Sequence, residues 1–151
     1  MANTNEIKSK IHPYVRNWLK QRYGIAFGKT RLPLRNCGGF HQFNAVSSDG
    51  KIVATIKTAS GVTSGGKHPS GKRASAIEQL YYLLLAEADT KLLVIVGLEF
   101  FNILKAKLTG VLPASIQLLH CPLPAELASL TRSITNEASE EIDRGKKSFH
   151  K

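Results

Sequence analysis

Two runs that favour extended backbone, Phe40–Ser47 and Lys51–Thr58, are separated by little more than Asp49-Gly50. Asp-Gly between β-rich runs is a strong hairpin signal, because glycine supplies the positive φ that a tight turn needs. Strand alternation then puts Ile52, Ala54 and Ile56 on one face of the second arm and Val53, Thr55 and Lys57 on the other. Whatever the chain folds into must accommodate this hairpin in a sheet, which excludes an all-helical bundle.

The flanking segments supply helices and further strands. Ile7, Ile11, Tyr14, Val15, Trp18 and Leu19 recur at three- and four-residue steps, predicting a helix from Glu6 to Tyr23, capped by Thr4 or Asn5 and ended by Gly24. Pro13 lies inside it and predicts a kink or a break. Arg31–Arg35 reads as a strand. Residues 59–73, rich in Gly and Ser with three Lys or Arg and no acid, read as a mobile basic loop. Ala74–Ala88 then carries Ile77, Leu80, Tyr81, Leu84 and Leu85 at helical spacing, and Lys91–Leu98 is apolar on both faces, as a central strand would be. A short helix Glu99–Leu108, a strand Ser115–His120, a helix Ala125–Ile142 and a basic tail at 144–151 complete the chain. The order predicts one α/β domain over residues 1–151, a mixed β-sheet flanked by helices.

Charge narrows the partner. Of the 151 residues, 21 are Lys or Arg and 11 are Asp or Glu, a formal +10. The excess is one-sided: residues 1–77 hold thirteen basic groups against Glu6 and Asp49, whereas residues 78–151 hold eight against nine. Such a field concentrates polyanions, of which nucleic acid is the commonest. The longest apolar stretches, Leu83–Ala86 and Leu92–Leu98, fall short of the ~20 residues a spanning helix needs. The N-terminus shows no basic stretch leading into an apolar run, so the reading expects a cytoplasmic protein without a membrane partner. Cys37 and Cys121 lie far apart, without CxxC spacing or neighbouring His, which excludes a zinc ribbon and suits reduced thiols.

Other motifs are weaker. Gly65-Gly66-Lys67 and Gly71-Lys72-Arg73 do not continue into the Ser or Thr and helix of a phosphate-binding GxxxxGK[ST] loop. The loop is either a flexible phosphate contact, through glycine N–H groups and Lys67, Lys72 and Arg73, or an inert surface segment. Ser60, Ser64 and Ser70 beside His68 lack a nucleophile elbow and a triad partner. Trp18, Phe27, Phe40 and Phe43 sit at apolar-periodic positions and read as core in preference to base-stacking groups.

The segment Gly38-Gly39-Phe40-His41-Gln42-Phe43-Asn44-Ala45-Val46-Ser47-Ser48-Asp49-Gly50-Lys51-Ile52-Val53-Ala54-Thr55-Ile56-Lys57, with the helix and apolar strand after it, resembles the core of the restriction-endonuclease-like PD-(D/E)xK superfamily over residues 5–100. The resemblance implies an α/β/α core whose hairpin carries an Asp on the first arm and (Asp/Glu)-x-Lys on the second. Two carboxylates there hold a divalent metal against the scissile phosphate, and the Lys orients or activates water. The corresponding positions here are Asn44, Thr55 and Lys57, so only the Lys is kept. An amide oxygen and a hydroxyl do not supply the charge Mg²⁺ demands. Glu6, on the first helix, and Glu78, on the helix after the loop, are the candidates for a migrated acid.

These observations set the expectations. The first is a nucleic-acid-binding protein on a nuclease-like scaffold, without cofactor, metal or cleavage, gripping DNA phosphates through Lys51, Lys57, Lys67, Lys72 and Arg73. Asn44, Thr55 and Lys57 are expected together at one end of the hairpin. The alternatives are an Mg²⁺-dependent DNA endonuclease with a migrated acid, and an assembly subunit that docks an acidic protein. Relatives in the superfamily often engage duplexes as two-fold dimers, so the resemblance extends to a homodimer.

Overall fold

The structure, a computed structural model, describes residues 4–58 and 70–129, with side chains over 9–58 and 73–129. Its elements run α1 (Thr4–Tyr23), β1 (Phe27–Pro33), β2 (Phe40–Ser47), β3 (Ile52–Lys57), α2 (Ser70–Leu85), β4 (Thr90–Ile95), α3 (Leu98–Lys107) and β5 (Ile116–His120). The five strands form one sheet in the order β1-β2-β3-β4-β5. The β1–β2 and β2–β3 pairs are antiparallel, and β3–β4 and β4–β5 are parallel. The parallel pairs follow from the intervening helices, because a parallel return needs a crossover. The architecture is α/β, a mixed sheet with helices on both sides.

Each face has its own core. Ile11, Val15 and Leu19 of α1 bury fully against Ala45, Ala54, Ile56, Leu92 and Val94. On the other face Ala76, Leu80 and Leu83 of α2, with Phe100 and Leu104 of α3, pack against Phe43, Val46, Val53, Leu93 and Ile95. The alternation of Leu92, Leu93, Val94 and Ile95 between the two cores explains why β4 is apolar on both faces. It is an interior strand, although β3 is the middle one. At its start the buried Lys91 donates from Nζ to the carbonyl of Leu84 at 2.9 Å, satisfying an orphan acceptor in the last turn of α2.

Several boundaries differ from the sequence reading. Helix α1 runs unbroken through Pro13, which is exposed; the buried residues on both sides of it hold the turn that its missing N–H weakens. Strand β1 begins at Phe27, not Arg31, and takes Gly28 into its ladder. Helix α2 begins at Ser70, so residues 70–73 belong to a helix and not to the predicted loop. Its buried face is Ala76, Leu80 and Leu83, while Ile77, Tyr81 and Leu84 are exposed. Residues 125–129 are helical. The remainder of the last predicted helix, residues 59–69 of the predicted loop and the basic tail lie outside the described residues. Among those described, no helix is long and apolar enough to cross a membrane.

Candidate functional site

The Asp49-Gly50 turn closes as its residue types require. Gly50 takes φ 73°, and its N–H donates to the Ser47 carbonyl at 2.9 Å. The Asp49 carboxylate accepts the Ser47 hydroxyl at 2.6 Å and the Lys51 N–H at 3.0 Å. The Ser47 hydroxyl in turn accepts the Ile52 N–H at 2.9 Å. These bonds, the Ser47 hydroxyl first, hold the Asp49 carboxyl below its ordinary pKa. Asp49 is the one acid in residues 9–58, and it is committed to the turn.

Beyond the turn the hairpin departs from simple alternation. Ala45 pairs with Ala54 and Val46 with Val53, but the β1–β2 register slips between Gly28 and Thr30, which oppose Val46 and Phe43. Two residues of β2, Asn44 and Ala45, thus oppose Lys29 alone, which is a β-bulge. Phe43 packs with α2 while Ala45 packs with α1, as the slip requires. Asn44 lines the α1 side, beside Arg16 and Gln42. Its carbonyl accepts Arg16 Nε–H at 2.8 Å, and its side-chain Oδ1 accepts the Ile56 N–H at 2.8 Å. An amide oxygen thereby supplies the partner that β3 lacks where the β2–β3 ladder ends.

Thr55 and Lys57 lie on the opposite, α2-facing side, with Val53. Lys57 donates from Nζ to Ser75 Oγ of α2 at 2.8 Å. Burial lowers its pKa, and Glu78, one turn further along α2, opposes that shift through its charge. Thr55 is buried, with 3% of its surface exposed, and among the described residues its hydroxyl has no hydrogen-bond partner; the same holds for the buried Nε of Arg73. The expected convergence is therefore divided. Asn44 reaches the β3 backbone between Thr55 and Lys57, but the bulge turns it to the α1 side while the other two face α2.

The remaining sequence candidates disperse. Lys51 is exposed at the turn, and Glu78 is exposed on α2. Glu6 and Lys72 lie on α1 and α2, their side chains outside the described set, and Lys67 lies outside it altogether. Phe43 is core, and Trp18 and Phe27 pack against the α1-side core. Phe40 is the exception at 57% exposed, with the Arg31 guanidinium 5.0 Å above its ring. Sequence reasoning missed both Ser75 and Arg16. No spacing rule singles Arg16 out, since one position from the stripe residue Val15 is about 100° around the helix; its role appears only with the Asn44 carbonyl in place. Among the described residues no group of three or more His, Cys, Asp or Glu comes together that could hold a metal ion. Compared with known proteins, the chain matches no family model, no curated protein and no solved structure.

Proposed function

We propose that this chain binds nucleic acid, double-stranded or structured DNA first, through backbone phosphates and without metal-dependent cleavage. The observation that carries the reading is an excess of positive charge along one stretch of the chain, most of it at the surface. Residues 9–58 hold nine Lys or Arg against Asp49 alone, and seven of the nine are exposed, one of them, Arg35, standing 4.0 Å from Glu87. Phosphate contacts from such a surface position a duplex without reading its bases. The hairpin followed by a helix and a buried strand is the layout that the resemblance to PD-(D/E)xK nucleases implies. Absence of cleavage follows from the donor set: the Asn44 oxygen holds a backbone N–H, Thr55 offers only a hydroxyl, and Lys57 meets Ser75. A cytoplasmic location and a two-fold dimer belong to the same reading.

Duplex binding measured against salt tests it. The log–log slope is expected near −0.9 per neutralised phosphate. Lys57→Ala is expected to weaken binding modestly and equally across sequences, as for one phosphate contact. Binding that is absent at low salt, or indifferent to salt, rejects the proposal. Nicking of plasmid by the pure protein with Mg²⁺ or Mn²⁺, lost in Lys57→Ala, establishes the nuclease alternative instead.

A further inference from the structure

We propose that the cavity between α1 and the bulged edge of the sheet is a binding site for a phosphate group. The cavity has a volume of about 480 Å³. One face of α1 contributes Ser9, His12 and Arg16, β1 contributes Lys29, and β2 contributes Gln42 and Asn44. Among the described residues no carboxylate lines it, and two cations, Arg16 and Lys29, share the concave site.

Arg16 is held in place, not merely near. Arg16 is half-buried, and desolvation lowers its pKa. Its Nε is held by the Asn44 carbonyl at 2.8 Å, which fixes the guanidinium plane and leaves the terminal nitrogens to a ligand. The Asn44 side chain spends its oxygen on the Ile56 N–H, so its amide nitrogen, a donor, is the group it can offer. Lys29 stands where the bulge leaves it opposite two residues, and strand alternation carries Arg31 to the same side. Guanidinium, ammonium and amide donors converging on a partly desolvated space suit a phosphate oxygen set better than a neutral or cationic ligand.

The phosphate could belong to a small phosphoester or to a nucleic-acid strand, and the chemistry of capture is the same. The site extends the nucleic-acid reading and stands without it. The test is titration of the full chain with inorganic phosphate and with adenosine 5′-monophosphate at low ionic strength, followed by amide and side-chain NMR shifts. Shifts are expected at Arg16, Lys29, Asn44 and Gln42. Lys29→Gln is expected to weaken phosphate binding about tenfold, the loss of one charge-assisted hydrogen bond. Lys107→Gln, on α3 across the sheet, should leave it unchanged. Arg16→Gln should act as Lys29→Gln does; because Arg16 also ties α1 to β2, Lys29→Gln decides if that variant fails to fold. Competition between phosphate and a DNA duplex assigns the cavity to strand phosphates. Phosphate binding with no duplex binding assigns it to a small phosphoester and rejects only the nucleic-acid proposal. Shifts elsewhere, or equal affinity in wild type and Lys29→Gln, overturn the site.

Discussion

Thr55 and Lys57 carry polar groups into the interior of a sheet, and each has a measurable cost. The Thr55 hydroxyl is buried without a partner among the described residues, so the folded state loses its hydration and gains no bond from them in return. Thr55→Val, which keeps the shape and the β-branch, is expected to stabilise the fold by about 1 kcal/mol in urea unfolding. A loss of stability would mean that the hydroxyl has a partner. Lys57 behaves differently because it titrates. Burial lowers its folded pKa below the ordinary 10.5, so the folded state releases the proton first. The penalty is present in full below the folded pKa and is relieved as pH rises from there toward the unfolded value. The unfolded chain binds more protons across that window, and stability therefore rises through it. Lys91, also lowered by burial, contributes in the same sense. As pH rises toward 10.5, urea midpoints should climb less steeply in Lys57→Met than in wild type; identical slopes would place Lys57 in water.

Helix α2 shows how far patterning can be read at the scale of an element. Ile77, Leu80, Tyr81, Leu84 and Leu85 form a convincing stripe, yet the helix is apolar over most of its circumference, so spacing alone does not say which side is buried. The sheet takes Ala76, Leu80 and Leu83. Leu83→Ala is expected to cost 2–5 kcal/mol, a range typical for a fully buried leucine, and its neighbour Leu84→Ala under about 1 kcal/mol. Similar losses at both positions would restore the face read from sequence. The hairpin was legible because Asp49-Gly50 is a local signal whose chemistry lies within four residues. The bulge was not, because Asn44-Ala45 has no turn chemistry of its own. Its cause is non-local: Arg16 from α1 and Ile56 from β3 meet Asn44 from either side. An even count from the turn therefore gave the wrong face for Asn44, and with it the supposed meeting with Lys57. Lys57 found Ser75 instead, a partner that no spacing rule connects to it.

For the whole molecule, two thiols report on global opening. Cys37 is exposed, whereas Cys121 lies fully buried beside the α1-side core, and burial pushes its pKa up to about 12. A thiol reagent at neutral pH is expected to modify Cys37 at once and Cys121 only at the rate at which the molecule unfolds, so urea should accelerate the second phase alone. Two fast thiols would contradict the burial of Cys121 in the α1-side core. The charge asymmetry was legible from composition, but its distribution over two sides of a sheet was not, since that depends on which helix each strand face meets. The division has a further consequence. Lys29 and Lys57 belong to opposite sides of one wall, with α1 on the first side and α2 on the second. A rigid, straight polyanion resting on one side leaves the other untouched. Of Lys29→Gln and Lys57→Ala, one should then leave duplex affinity unchanged within about 0.5 kcal/mol. A duplex that feels both losses additively is wrapped around the open edge or held by two molecules, whereas one that feels only a single loss has chosen its side.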